Sequence, residues 1–123
     1  MEESIRRFVL NKRIIKINRQ DEYACARAIV VSKSFADKHP FRYYLVEDSE
    51  LQKSFAEDIH EDADIEPGVC GLAEIKLLQT ALPEYQFIYI WKTNKYISRI
   101  SFGPDIGERI HIYEHDAIYD TLI

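Results

Sequence analysis

Residues 21–36 read DEYACARAIVVSKSFA, and this stretch predicts the central helix of the protein. Small and apolar side chains recur there at helical spacing and give one continuous face: Cys25, Ala28, Ile29, Ser32, Phe35 and Ala36. The pattern begins at about Glu22, ends near Lys38 and is stopped by Pro40. It therefore places Cys25 in the first turn of a core helix.

Around this helix the sequence predicts short, well-separated elements. A strand is expected at Arg13–Ile17 and an extended segment at Arg42–Val46. Ser49, followed three residues later by Gln52, is a capping-box pattern that begins a second helix. The apolar stripe of that helix comprises Leu51, Phe55, Ile59 and Ala63, and acidic residues occupy its outer face.

The rest of the chain is one more helix followed by β-structure. The helix spans Leu72–Leu82 and is ended by Pro83. Alternating segments then predict strands at Gln86–Trp91, Tyr96–Phe102, Arg109–Tyr113 and Tyr119–Ile123. Helices come mostly first and strands last, so the predicted class is α+β, a small mixed or antiparallel sheet with about three helices packed on it. Residues 1–123 are expected to form a single domain.

Composition and charge narrow the classes of function. The formal net charge of −5 disfavours a nucleic-acid partner. The N-terminal residues 1–13 are too charged for a secretory signal peptide, and no stretch is long and apolar enough to cross a membrane. Cys25 and Cys70 lie in different segments and do not form the CxxC pair that is typical of a metal site. We therefore expect two reduced thiols in an intracellular protein of the cytoplasm or nucleus, with no cofactor and no membrane partner.

Cys25 is the first candidate for chemistry. A thiol at a helix N-terminus lies near the positive end of the helix dipole, which favours the thiolate that a cysteine protease needs. The alternative is a buried structural thiol, which its spacing with the core residues also suits. Cys70 opens a helix without a neighbouring base and is interpreted as structural.

The histidines and acids give weaker signals. His115 with Asp116 would serve as a base with an orienting acid if the fold brought them to Cys25. His60 lies in the acidic helix and is expected on its solvated face. The acids of residues 57–64 lack the glycine and spacing of a calcium loop, so no metal site is expected.

Two segments together resemble ovarian-tumour (OTU) cysteine proteases. Residues 18–31, NRQDEYACARAIVV, resemble the nucleophile segment of that family, in which a polar loop leads into a cysteine and an apolar helix. Residues 110–123, IHIYEHDAIYDTLI, resemble its last strands, where a His-Tyr-Asp or His-Tyr-Asn sequence is followed by apolar residues. The resemblance implies an OTU-like fold of the papain-like cysteine protease superfamily, with ubiquitin or a ubiquitin-like protein as the partner.

The resemblance also assigns roles to residues. It implies that Cys25 is the nucleophile and that Asp120 orients the catalytic histidine. The backbone around Glu22, Tyr23 and Ala24 would form the oxyanion-binding loop. The histidine itself is expected at position 118, where this chain has Ile118.

A narrower set of short motifs resembles the N-terminal region of DNA polymerases from Maverick/Polinton-type elements and related viruses. These motifs are Pro67-Gly68-Val69-Cys70-Gly71, Glu74-Ile75, Gln79, Ala81-Leu82-Pro83, Tyr85-Gln86 and Phe102-Gly103-Pro104. They imply a viral or mobile-element origin.

Three hypotheses follow. In the first, the chain is a deubiquitinase-type OTU-like domain that is weakly active or inactive and acts in binding, a pseudoenzyme. In the second, it is an active thiol protease or deubiquitinase that uses Cys25 with His115. A displacement of three residues along a strand reverses the face, so this hypothesis requires a bulge or loop. In the third, it is a non-enzymatic interaction module with a core cysteine.

Overall fold

The computed structural model describes residues 13–68 and 70–123. Its helices are α1 (Ala24–Ala36), α2 (Arg42–Glu47), α3 (Ser49–Ala63) and α4 (Leu72–Thr80). Its strands are β1 (Ile14–Ile15), β2 (Tyr85–Lys92), β3 (Ile97–Phe102), β4 (Glu108–His115) and β5 (Ile118–Leu122). The charged N-terminal residues 1–12 and Val69 of the polymerase-like motif lie outside the described residues.

The strands form one mixed sheet with the order β1-β5-β4-β2-β3. β2 and β4 run parallel, and the other neighbouring pairs are antiparallel. The connection from β3 to β4 therefore passes the start of β2 within five residues, 103–107. A Cβ at Gly103 would lie 2.7 Å from the Tyr85 carbonyl oxygen, and one at Gly107 would lie 2.2 Å from that of Glu84. The short crossing depends on these two glycines because a side chain does not fit at either position.

The helices pack on one face of the sheet, and alternation along the strands divides the buried side chains between two faces. Phe87, Tyr89, Ile110 and Ile112 join the helices in one cluster, which we call the helix-side core. The intervening residues form a second cluster on the other face, the far-side core: Ile88, Ile90, Tyr113 and Leu122. The predicted α+β class with a mixed sheet is confirmed.

One local prediction is wrong. Residues 42–46 are not extended but lie in α2, which the described residues hold beside the three helices that the sequence predicts. Aromatic and β-branched residues favour a strand at RYYLV, but the Gln52 amide donates to the terminal carbonyls of α2, those of Leu45 (2.8 Å) and Val46 (2.9 Å). These bonds satisfy groups that the end of a short helix otherwise leaves unpaired.

The predicted capping box is also absent, for the same reason. Gln52 is buried against α2 and does not reach back to the start of α3. The N-cap is instead Asp48, whose carboxylate accepts a hydrogen bond of 3.0 Å from the Leu51 amide. The third predicted helix is α4, which ends at Thr80, two residues before Leu82.

A buried ion pair fixes the entry into α1. The guanidinium of Arg27 is fully buried and donates two hydrogen bonds to the Asp21 carboxylate, at 3.0 and 2.9 Å. It also donates to the Ser49 carbonyl at 2.6 Å. Partial burial would raise the pKa of Asp21, but the hydrogen bonds from Arg27 and from the Tyr23 amide outweigh it and hold that pKa below its ordinary value. The pair therefore contributes stability above about pH 4, which is lost as the pH falls through the lowered pKa.

We predict that Asp21→Ala lowers the free energy of unfolding by about 3 kcal/mol, because it leaves a buried guanidinium without its carboxylate. Lys33→Ala is the matched control, since it removes a partly exposed pair with Asp37 one helical turn away. Its cost should stay below about 0.5 kcal/mol. Urea denaturation followed by circular dichroism measures both, and equal losses would contradict a special role for Asp21.

Candidate functional site

Cys25 is the second residue of α1, and its side chain lies in the helix-side core. Only 4% of the residue is exposed, and it shares the cluster with Ile29, Ile75 and Tyr89. Cys70 packs against the same cluster. Both cysteines are free. The candidate nucleophile is therefore a buried thiol that meets a second thiol.

The surroundings of Cys25 favour the protonated thiol. Burial raises the pKa of Cys25 well above its ordinary value, and the Cys70 thiol and the carboxylates of Glu74 and Glu114 raise it further. A helix N-terminus lowers the pKa of a cysteine, but loss of hydration outweighs that effect here. Because the thiolate is the nucleophile in cysteine chemistry, these surroundings oppose the ionisation that a nucleophilic Cys25 would need.

The loop before α1 uses its amides internally. The Tyr23 amide donates to the Asp21 carboxylate at 3.0 Å, and the Ala24 amide donates to the Asp21 carbonyl at 3.0 Å. The Glu22 carbonyl accepts from the Gly68 amide at 3.2 Å. An oxyanion hole needs N–H groups that are free to bind a developing negative charge. Two of the amides expected in such a loop are instead committed to the turn itself.

His115 and Asp120 come together across the β4–β5 hairpin. Nε2 of His115 lies 2.9 Å from Oδ2 of Asp120, and the His115 ring stacks on Tyr113 with a centroid distance of 5.1 Å. The second oxygen of Asp120 accepts a hydrogen bond of 2.9 Å from the Ile17 amide. Asp120 is only 2% exposed. The structure thus pairs two of the sequence-predicted site residues.

The same geometry separates this pair from Cys25. Tyr113 belongs to the far-side core and lies directly opposite Asp120 in the sheet register. His115, two residues after Tyr113, projects to the same face. Cys25 lies in the helix-side core. The sheet therefore stands between the thiol and the imidazole.

Position 118 requires a correction to the expected geometry. The face reversal between His115 and Ile118 does not occur, because these residues are not on one strand. They are cross-strand partners joined by a tight turn in which Asp116 and Ala117 both have positive φ. Directly opposed residues of neighbouring strands project to the same face of a sheet. The imidazole of His115 therefore lies on the same face as the side chain at position 118.

Gln20, in the loop that leads into α1, connects this hairpin to α1. The Gln20 amide group donates to the Tyr119 carbonyl and accepts from the Tyr119 amide, both at 3.0 Å. The loop leading into α1 therefore runs beside β5, next to Ile118, which is 38% exposed. The sequence offers no signal for this contact, because it joins residues 99 positions apart.

The remaining candidates have structural surroundings. His60 is buried rather than solvated, because its Nδ1 lies 3.2 Å from the Ile65 carbonyl and its ring packs edge-on against Tyr23.

Within residues 13–68 and 70–123, no three His, Cys, Asp or Glu side chains converge as metal ligands would. Among the helices that the structure describes, none has the length and apolarity needed to span a bilayer.

Comparison with known proteins gives one structural similarity. No protein-family model matches the sequence, and no curated protein does. A solved structure similar to this chain is the crystal structure of the viral OTU domain protease from Farallon virus, with 16% identity and a TM-score of 0.47. The match covers 94% of this chain and 86% of that chain. The resemblance to Maverick/Polinton-type polymerases stays a prediction.

We predict that Cys25 in the folded protein reacts with iodoacetamide at least about 100-fold more slowly than in denaturing urea, because burial keeps the thiol protonated and covered. Cys70, which is partly exposed, serves as the internal control and should react faster than Cys25. Peptide mapping by mass spectrometry follows each site separately. Equal rates for the two thiols in the folded protein would contradict the described burial.

The hydrogen bonds of Asp120 give a second prediction. Asp120→Ala should lower the free energy of unfolding by about 2 kcal/mol, since it leaves the buried Ile17 amide unpaired. Asp120→Asn keeps an acceptor for that amide, and its loss should be about half as large. Chemical denaturation compares the two variants. A loss from Asn as large as that from Ala would show that the Ile17 bond does not carry the effect.

Proposed function

We propose that this protein is an OTU-like domain without thiol-hydrolase activity that acts by binding a protein partner. Ubiquitin or a ubiquitin-like protein is the partner class that the sequence resemblance implies. One observation carries the proposal, namely that the Cys25 thiol is buried in the helix-side core while His115 and Asp120 pair on the other face.

Thiol hydrolysis requires three things of such a site. The thiol must ionise, a base must lie within hydrogen-bond reach of it, and donors must receive the developing oxyanion. Burial opposes the ionisation of Cys25, and the sheet separates it from His115. The amides of Tyr23 and Ala24 are already bonded to Asp21. All three requirements are opposed by contacts within the protein.

The active alternative would require the end of β4 to rearrange. For His115 to serve Cys25, its ring would leave the far face of the sheet, giving up the bond to Asp120 and the stacking on Tyr113. The released Asp120 carboxylate would then keep only the Ile17 amide as a partner in a buried position. The observed pairing therefore supports the non-hydrolytic proposal over this alternative.

Ubiquitin carrying a C-terminal electrophile tests the proposal directly. We expect no adduct with the wild-type protein and no hydrolysis of a fluorogenic ubiquitin substrate, because the thiol is protonated and has no base. Cys25→Ala is the matched control. Adduct formation and hydrolysis that both disappear in Cys25→Ala would overturn the proposal.

A designed variant distinguishes the two non-enzymatic hypotheses. Position 24 precedes Cys25 by one residue and points about 100° away around the helix axis, and Gln20 brings the same loop beside Ile118. The double variant Ala24→Cys with Ile118→His puts a thiol on the first residue of α1 and an imidazole on the first residue of β5. Electrophile labelling gained by the double variant would support the OTU-like assignment. Continued inertness in a folded double variant would favour an unrelated interaction module.

Partner binding has its own measurement. Titration of isotopically labelled ubiquitin with the wild-type protein, followed by nuclear magnetic resonance, should shift a contiguous set of ubiquitin resonances. Absence of shifts at about 1 mM protein would place any binding free energy above about −4 kcal/mol and exclude ubiquitin as the partner. The non-hydrolytic reading of Cys25 would survive that result, since the electrophile experiment tests it separately.

A further inference from the structure

The two cysteines of the chain meet although they are far apart in sequence. Cys25 lies in the first turn of α1, and Cys70 directly precedes Gly71, the N-cap of α4. Cys70 packs against the core cluster that contains Cys25, and its thiol is near enough to raise the pKa of Cys25. We propose that Cys25 and Cys70 form a reversible intramolecular disulfide when a peroxide oxidises the protein.

Backbone contacts hold the two segments in place for this reaction. The Tyr119 hydroxyl donates to the Cys70 carbonyl, which ties that residue to β5. The Gly68 amide donates to the Glu22 carbonyl at 3.2 Å, which ties the approach to Cys70 to the loop before α1. A disulfide needs the two sulfurs about 2 Å apart. Side-chain rotation toward each other would supply this approach, because both cysteines belong to the packing of one core cluster.

The difference in exposure sets the order of the chemical steps. Cys70 is the more exposed thiol, and after losing its proton to solvent it attacks one oxygen of the peroxide. The O–O bond breaks, Cys70 becomes a sulfenic acid, and hydroxide leaves and takes up a proton. The Cys25 sulfur then attacks the Cys70 sulfur, the S–O bond breaks, and the departing hydroxide takes the Cys25 proton as water. Two thiols and one hydrogen peroxide thus give one disulfide and two waters.

Burial of Cys25 fits the second role and not the first. Its raised pKa keeps the thiolate fraction small, so Cys25 attacks peroxide slowly. The small thiolate fraction also slows its attack on a sulfenic acid, but a sulfenic acid at Cys70 forms within the same packed cluster and needs no diffusion to be resolved. The bond would join the start of α1 to the start of α4 and constrain the chain between positions 25 and 70 in the unfolded state.

Mass spectrometry of the wild-type protein treated with hydrogen peroxide at low protein concentration tests the proposal. We expect a monomer lighter by about 2 Da and a linked peptide containing Cys25 and Cys70. Without a reducing agent, neither cysteine of the denatured protein should be alkylated. The melting temperature should rise by roughly 5–15 °C and return to its starting value after dithiothreitol. Cys70→Ala is the matched control and should show neither change.

Any of three results would overturn the proposal. One is a treated wild-type protein in which both thiols remain available to alkylation after denaturation. The others are a disulfide found only between two molecules and an irreversible sulfinic product at Cys70 with Cys25 still free. The wild-type measurements do not require any variant to fold. They also do not depend on ubiquitin binding, so they stand apart from the tests of the proposed function.

Discussion

The buried guanidinium of Arg27 determines how the helices meet the loop that precedes them. Arg27 is fully buried, and a charge in that position is stable only when its donors are paired. Asp21 takes two of its hydrogen bonds and the Ser49 carbonyl takes another. One cation thereby joins the loop, α1 and the start of α3. Asp21 also accepts from the Tyr23 and Ala24 amides, so the same constraint that starts α1 removes these amides from any role in binding an anion.

The side chains of β5 make contacts on both faces of the sheet, and these contacts separate the two parts of the candidate site. On the helix side, the Thr121 hydroxyl donates to the Ala28 carbonyl at 2.7 Å, which fixes α1 over the strand. The Tyr119 hydroxyl, on the same face, reaches the Cys70 carbonyl. Asp120, between them in sequence, points the other way and holds His115 and the Ile17 amide. Because successive side chains of β5 point to opposite faces, the strand contacts the segment of the thiols on the helix side and holds the His115–Asp120 pair on the other face.

Periodicity in the sequence predicts α1, the mixed α+β class and the positions of the main strands, because each of these depends on local spacing of apolar residues. It fails where a side-chain contact from outside the element decides the outcome. α2 forms because Gln52 satisfies its last carbonyls, and His60 is buried because Ile65 and Tyr23 surround it. The parallel pairing of β2 with β4 is likewise absent from the alternation of either strand, since alternation specifies a face and not a neighbour. The pairing of His115 with Asp120 depended on the turn at residues 116–117.

The His115–Asp120 pair has a structural explanation that does not need catalysis. A carboxylate that is 2% exposed requires partners for both oxygens. The Ile17 amide satisfies one and attaches the segment after β1 to β5, and the His115 ring satisfies the other. Stacking on Tyr113 then fixes the plane of the imidazole. A base-and-acid pair of this kind resembles half of a catalytic triad, but a triad also needs the nucleophile on the same side. The pair links the two strands of the β4–β5 hairpin, whereas Cys25 lies in the helix-side core, against which Cys70 packs.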